Sequence, residues 1–142
     1  MNELIERLEA ATGPDRELDA LIRQAIYCPQ GYVEQSPING AWCVYDGSRD
    51  RSGRARLFEH WPSRDAKCGA FTASIDAALT LCGGESGLGS LIAGKFPDGT
   101  RGWVARVRSP ETADGEGKTP ALAICIASLR AHSTGMDGKN DD

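Results

Sequence analysis

The apolar residues of this chain change period along its length, and that restricts it to a mixed fold. In LDALIRQAI, Leu18, Leu21, Ile22, Ala25 and Ile26 recur at i, i+3, i+4, i+7 and i+8, which is one face of a helix. In GWVARVRS, Trp103, Ala105 and Val107 alternate with Val104, Arg106 and Arg108, the two faces of a strand. Neither period extends over the whole chain, so the fold class expected is α+β, with helices and mainly antiparallel strands.

Four segments carry the helical period. Residues 2–11 place Leu4, Ile5, Leu8 and Ala11 on one side. Residues 15–27 follow a break at Gly13-Pro14, with Thr12 as the expected cap. Residues 74–82 begin at Ser74 and end at Gly83-Gly84. Residues 119–131 open with Thr119-Pro120 and put Leu122, Cys125, Ile126 and Leu129 on one face. Between them, AWCVYD (41–46) and RARLFEHW (54–61) read as a hairpin, and SLIAGKF (90–96) reads as an edge strand that turns at FPDG into GWVARVRS. Residues 28–40 and 109–118 are rich in proline, glycine and short polar residues and read as loops. The expectation is about four strands, one domain over 1–131, and a mobile tail over 132–142 with nothing to bury.

The pieces ATGPDRELDALI (11–22), FTASIDAALTL (71–81) and TPALAICIASLRA (119–131), in that order, resemble the phage ABA-sandwich domain. The resemblance implies an α-β-α sandwich with a central antiparallel sheet, in a small phage or prophage protein. It implies no general activity and transfers no catalytic residue. The chain departs from the family pattern at 28–70, which is longer and richer in arginine, and in the glycine-rich stretch 83–102.

GSLIAGKF (89–96) has the Gly-x4-Gly-Lys core of a phosphate loop. That chemistry needs a Ser or Thr after the lysine to hold magnesium, and a helix to aim backbone amides at the phosphates. Phe96 replaces the hydroxyl, and Pro97-Asp98-Gly99 is a turn. A nucleotide-hydrolysing loop is therefore not expected. A nucleophile–histidine pair could draw only on His60 and His132, and no local pattern marks either; a small hydrolase using His60 ranks last. Glu3, Glu6 and Glu9 lie at helical spacing and read as a solvated face. The five cysteines form no C-x-x-C pair, which points to reduced, buried thiols and not to a disulfide framework or zinc site. No cofactor and no metal is expected.

Charge is distributed unevenly. Residues 1–47 carry three basic and eight acidic side chains, residues 48–108 ten and six, and residues 109–142 three and six. Eight of the ten central cations are arginine, which grips phosphate or carboxylate through a fork of donors. With Trp42, Tyr45, Phe58 and Trp61 interleaved, this region nominates Arg54, Arg56, Lys95, Arg101, Trp103, Arg106 and Arg108 as ligand-binding residues. If they act as one patch, Arg106→Ala or Arg54→Glu should abolish binding. The net charge of −4 argues against duplex nucleic acid. The segment MNELIERLEA lacks a basic start and an apolar run, so it is not read as a signal peptide, and no stretch is apolar enough to span a bilayer. The partner expected is a nucleotide-like anion or an acidic protein surface, with no membrane. The function expected is that of a non-enzymatic phage accessory protein acting in the host cytoplasm against a defence system. The alternative is a structural or homo-oligomerising phage module.

Overall fold

A computed structural model of the chain describes residues 2–38, 40, 42–61 and 70–140, those at 57–61 and 134–140 as backbone only. Helix α1 spans Asn2–Ala10 and α2 spans Arg16–Tyr27. Strands β1 (Tyr32–Gln35), β2 (Trp42–Arg49) and β3 (Ala55–Trp61) form one antiparallel sheet in that order. A short helix α3 (Ile75–Leu79) runs on as a 3-10 turn at Thr80–Cys82, and a second 3-10 turn covers Glu85–Gly87. Strands β4 (Leu88–Lys95), β5 (Arg101–Val107) and β6 (Ala113–Gly117) form a second antiparallel sheet, also in sequence order. Helix α4 is Pro120–Asn140.

The α+β class is as the periodicity predicts. Within it, the strands are not gathered into one central sheet of about four. They divide into two sheets of three, and a helix occupies the middle. Residues Ala121–Leu129 of α4 are all buried, including Ala123, Ile124, Ala127 and Ser128, which lie off the expected apolar face. A helix buried on every side needs neighbours on every side. Here β5 and β6 lie against one side, and α1, α2 and α3 close the others. On the far side of α2 lies the first sheet, which packs through a separate cluster that includes, among the described residues, Ala20, Cys28 and Val44, with Val33 and Trp42 beside them.

Local chemistry explains most element boundaries. The cap of α2 is Asp15, whose carboxylate accepts from the Leu18 amide at 3.1 Å. Thr12, the expected cap, is separated from the first helical amides by Gly13-Pro14, where the chain bends, and by Asp15 itself. Ser74 does cap α3, accepting from the Ala77 amide, and Thr119 caps α4, accepting from the Leu122 amide at 3.2 Å. Gly83 follows in the left-handed region at φ +86°, where glycine carries no Cβ penalty, and ends the segment. Past Ala131, where the sequence places the end of the last helix, α4 continues to Asn140. Extending an existing helix costs far less than starting one, and no proline intervenes.

Two segments read as loops are strands. YVEQ forms β1, four residues hidden between Pro29-Gly31 and Pro37. ADGEG forms β6, and its glycines are the reason α4 can lie so close. A Cβ at Gly115 would run into the Ala127 amide and stand 2.6 Å from the Ala123 carbonyl; one at Gly117 would stand 2.7 Å from the Ala123 amide. Glycine in a strand marks such a close approach, although propensity counts it against the strand. One acid is buried in this packing: Asp19 accepts from the Thr72 amide and hydroxyl, both at 2.8 Å, and from Arg16 at 3.0 Å, tying α2 to the segment before α3.

Candidate anion-binding site

The second sheet sets the site. β4 and β5 are joined by a tight turn in which Phe96 donates its amide to the Thr100 carbonyl at 2.8 Å. Asp98 accepts from the Thr100 amide and hydroxyl, at 2.9 and 2.6 Å, and these bonds hold its carboxyl below the usual range. This turn follows the lysine of GSLIAGKF, where a phosphate loop would need a helix. It also determines the register: Lys95 stands directly opposite Arg101, and Ala93 opposite Trp103.

Directly opposed residues of an antiparallel pair project to the same face. Lys95 and Arg101 therefore share a face with Trp103, two residues further along β5, which packs on the main core and is half-buried. Lys118 joins them from the chain beyond β6, where Gly117 pairs with Trp103. Together with Ala93, Gly94 and Gly102 these residues line a cleft of about 490 Å³. Three cations thus share one cleft with an aromatic side chain. Lys118 donates to the Ala10 carbonyl at 3.3 Å, at the last residue of α1. Lys95 and Arg101 form no side-chain hydrogen bond or ion pair among the described residues.

Of the seven residues nominated from the sequence, Lys95, Arg101 and Trp103 come together. Arg106 projects from the opposite face of β5, where it grips Asp114 through two bonds of 2.7 and 3.1 Å. That grip holds the Asp114 carboxyl below the usual carboxylate range. Arg108 lies beyond the end of β5, exposed, with its backbone amide donating to the Gly87 carbonyl. Arg54 and Arg56 belong to the β2–β3 hairpin of the other sheet and are not part of the cleft. Lys118 was not nominated; the loop reading of 109–118 concealed that β6 carries it back beside Trp103.

A second cleft, about 520 Å³, runs between α1 and α4. Its charges answer one another: Arg130 stands 3.7 Å from Glu9 and donates to the Asp114 carbonyl at 3.0 Å. It offers an anion less than the Lys95 cleft does.

Other reactive groups are placed structurally. Cys28, Cys82 and Cys125 are buried and Cys43 is half-buried, all four as free thiols; Cys68 lies outside the described residues. Burial pushes the Cys125 thiol well up, with the Asp19 charge adding to it, and burial raises Cys82 as well, so both hold their protons near neutrality. His132 is half-buried, with Nε2 3.0 Å from the Leu81 carbonyl. His60 pairs with Cys43 in the β2–β3 ladder, and its side chain lies outside the described residues, as do those of Phe58 and Trp61. Among the described residues no group of three or more His, Cys, Asp or Glu could hold a metal ion, and no helix is long and apolar enough to cross a membrane.

Comparison with family models, with curated proteins and with solved structures returned no match to this chain.

Proposed function

We propose that this chain is a non-enzymatic phage accessory protein that captures an anionic, nucleotide-like small molecule in the cleft between Lys95, Arg101 and Lys118. Acting in the host cytoplasm, it would counter a defence system by sequestering the signal. The resemblance of its helical segments to the phage ABA-sandwich domain supports the setting. The observation that carries the ligand class is the Lys95–Arg101 pair. Like charges directly opposite one another across strands are unfavourable, and no acid among the described residues is bonded to either. A phosphate between them turns that repulsion into two charge-assisted contacts, one of them the arginine fork. Trp103 adds aromatic surface against which a base can stack.

Calorimetric titration and thermal shift against cyclic dinucleotides, cyclic mononucleotides and ADP-ribose-type nucleotides test this reading. Saturable heat with at least one of them, lost in Arg101→Glu, is the expected result. No heat and no shift with any would sink it.

A second reading, a homo-oligomerising module without a small ligand, has one observation in its favour. β4 is a sheet edge, and Ile92 on it is 62% exposed. It predicts an oligomer by light scattering that Ile92→Lys disperses, with Lys95 and Arg101 substitutions having no effect.

A further inference from the structure

The other sheet carries a cationic surface that the cleft does not use. From the end of β2 into the start of β3 the chain runs Asp46-Gly-Ser-Arg49-Asp50-Arg51-Ser-Gly-Arg54-Ala-Arg56, and its four arginines are all exposed. The two acids of this hairpin turn inward on their own neighbours. Asp46 accepts from the Ser48 hydroxyl and amide at 2.6 and 2.8 Å; Asp50 accepts from the Ser52 hydroxyl and amide at 2.6 and 2.9 Å and from the Arg54 amide at 3.1 Å. Arg49 braces the loop by donating to the Gly53 carbonyl at 2.8 Å. Arg51 and Arg54 form no side-chain hydrogen bond or ion pair among the described residues. The acids therefore shape the hairpin, with the Arg56 charge near both of them, while the guanidinium groups of Arg51 and Arg54 are left for something outside it.

All three tyrosines of the chain lie near the base of this hairpin. Val33 and Val44 point toward α2, so alternation turns Tyr32 and Tyr45 to the opposite face of the sheet. Their rings stack at 5.2 Å with planes 21° apart, and Tyr32 is 39% exposed. Tyr27, at the end of α2, is also exposed and carries Arg23 over its ring at 4.2 Å. The loop from Tyr27 to Tyr32 is held against the hairpin: a Cβ at Gly47 would stand 2.6 Å from the Gln30 carbonyl. From Tyr45 to Arg49 is four residues along β2, which a bulge sets opposite only the two from Leu57 to Ala55, so the arginine loop begins close to the ring stack.

We propose that this end of the molecule is a contact surface for single-stranded nucleic acid. Arg51 and Arg54 take backbone phosphates, and the Tyr32–Tyr45 stack continues onto an unstacked base. Charge complementarity selects an anionic partner, and the exposed ring stack selects one with free planar bases, which a duplex or an acidic polypeptide lacks. The surface is independent of the Lys95 cleft, so it stands or falls without the small-ligand reading.

Fluorescence anisotropy of the full chain with labelled oligo(dT) and oligo(U) of about twenty nucleotides tests it, long enough for a site of the usual size. Saturable binding at low salt is expected, weaker for a duplex of the same length. The double variant Arg51→Glu, Arg54→Glu should weaken it by about tenfold or more, with the log–log salt slope shallower by about 0.7 for each phosphate no longer gripped. Tyr32→Ala should cost roughly fivefold or more, and Lys95→Glu should leave binding unchanged. All substituted side chains are exposed, and circular dichroism verifies that each variant is folded. No anisotropy change with either strand, equal binding of duplex, indifference to the arginine substitutions, or displacement by polyglutamate as effective as by unlabelled oligo(dT) would each overturn the proposal.

Discussion

Lys95 and Arg101 stand directly opposite each other across β4 and β5, two cations on one face beside Trp103. The arrangement makes a prediction that separates stability from binding. Lys95→Glu replaces a repulsive pair with an attractive one and should stabilise the unliganded protein by roughly 0.2–1 kcal/mol. The same change should abolish capture of an anion in the cleft. Paired thermal melts and calorimetric titrations of the variant check both halves. A variant that is destabilised and still binds would contradict the reading of this pair.

Arg106 offers the complementary control. The sequence alone groups it with one basic patch, in which its loss should abolish binding. The structure commits it to Asp114 on the other face of β5. Arg106→Ala should therefore leave ligand affinity in the cleft unchanged within experimental error, as should Arg54→Glu in the other sheet. Titration of the two variants beside Arg101→Glu checks this.

How the seven nominated residues divided shows what sequence could and could not reveal. The FPDG turn was legible, and with it the pairing of SLIAGK against the following strand, so Lys95, Arg101 and Trp103 could be placed together. Arg54 and Arg56 were grouped with them on charge and on position in the chain, neither of which says which sheet a strand joins. Helices capped by Ser74 and Thr119 were legible because a hydroxyl followed by an apolar period is a local signal. β6 was not, because Gly115 and Gly117 are strand breakers until α4 is laid against them. The central position of α4 was hidden in the same way: Ala123 and Ala127 look like the indifferent face of an amphipathic helix, and only the glycines opposite show that they are an interface.

Gly115→Ala should test that interface. The added methyl has no space between β6 and the α4 backbone, and overpacking of this kind costs about 1–3 kcal/mol. Denaturant unfolding should show a lower midpoint with an unchanged slope. A neutral result would mean that α4 can move away from the sheet freely.

The burial of Asp19 gives the stability a pH dependence whose sign can be tested. Burial raises its carboxyl above the ordinary value, and the bonds from Thr72 and Arg16 only partly offset that. A carboxyl raised in the folded state contributes stability at pH values below its unfolded value, and that contribution is lost as pH rises through the folded one. Asp19→Asn removes the titration. The stability of the parent relative to this variant should therefore fall as pH is raised from about 3.5 toward neutrality, the lower limit lying near the unfolded carboxyl value. Urea unfolding across that range checks it; a difference that grows with pH would reverse the assignment.

The two sheets differ in how they are anchored. The second shares the main core with α4, whereas the first is fastened to α2 through a separate cluster whose buried members, among the described residues, are Ala20, Cys28 and Val44. Such a division means that the molecule need not come apart all at once. The first sheet can detach while α4 and its sheet remain assembled, so its amides should exchange with solvent sooner than those of Ala121–Leu129. A partner that grips the arginine hairpin would then do more than bind: it would hold shut the part of the fold that opens first.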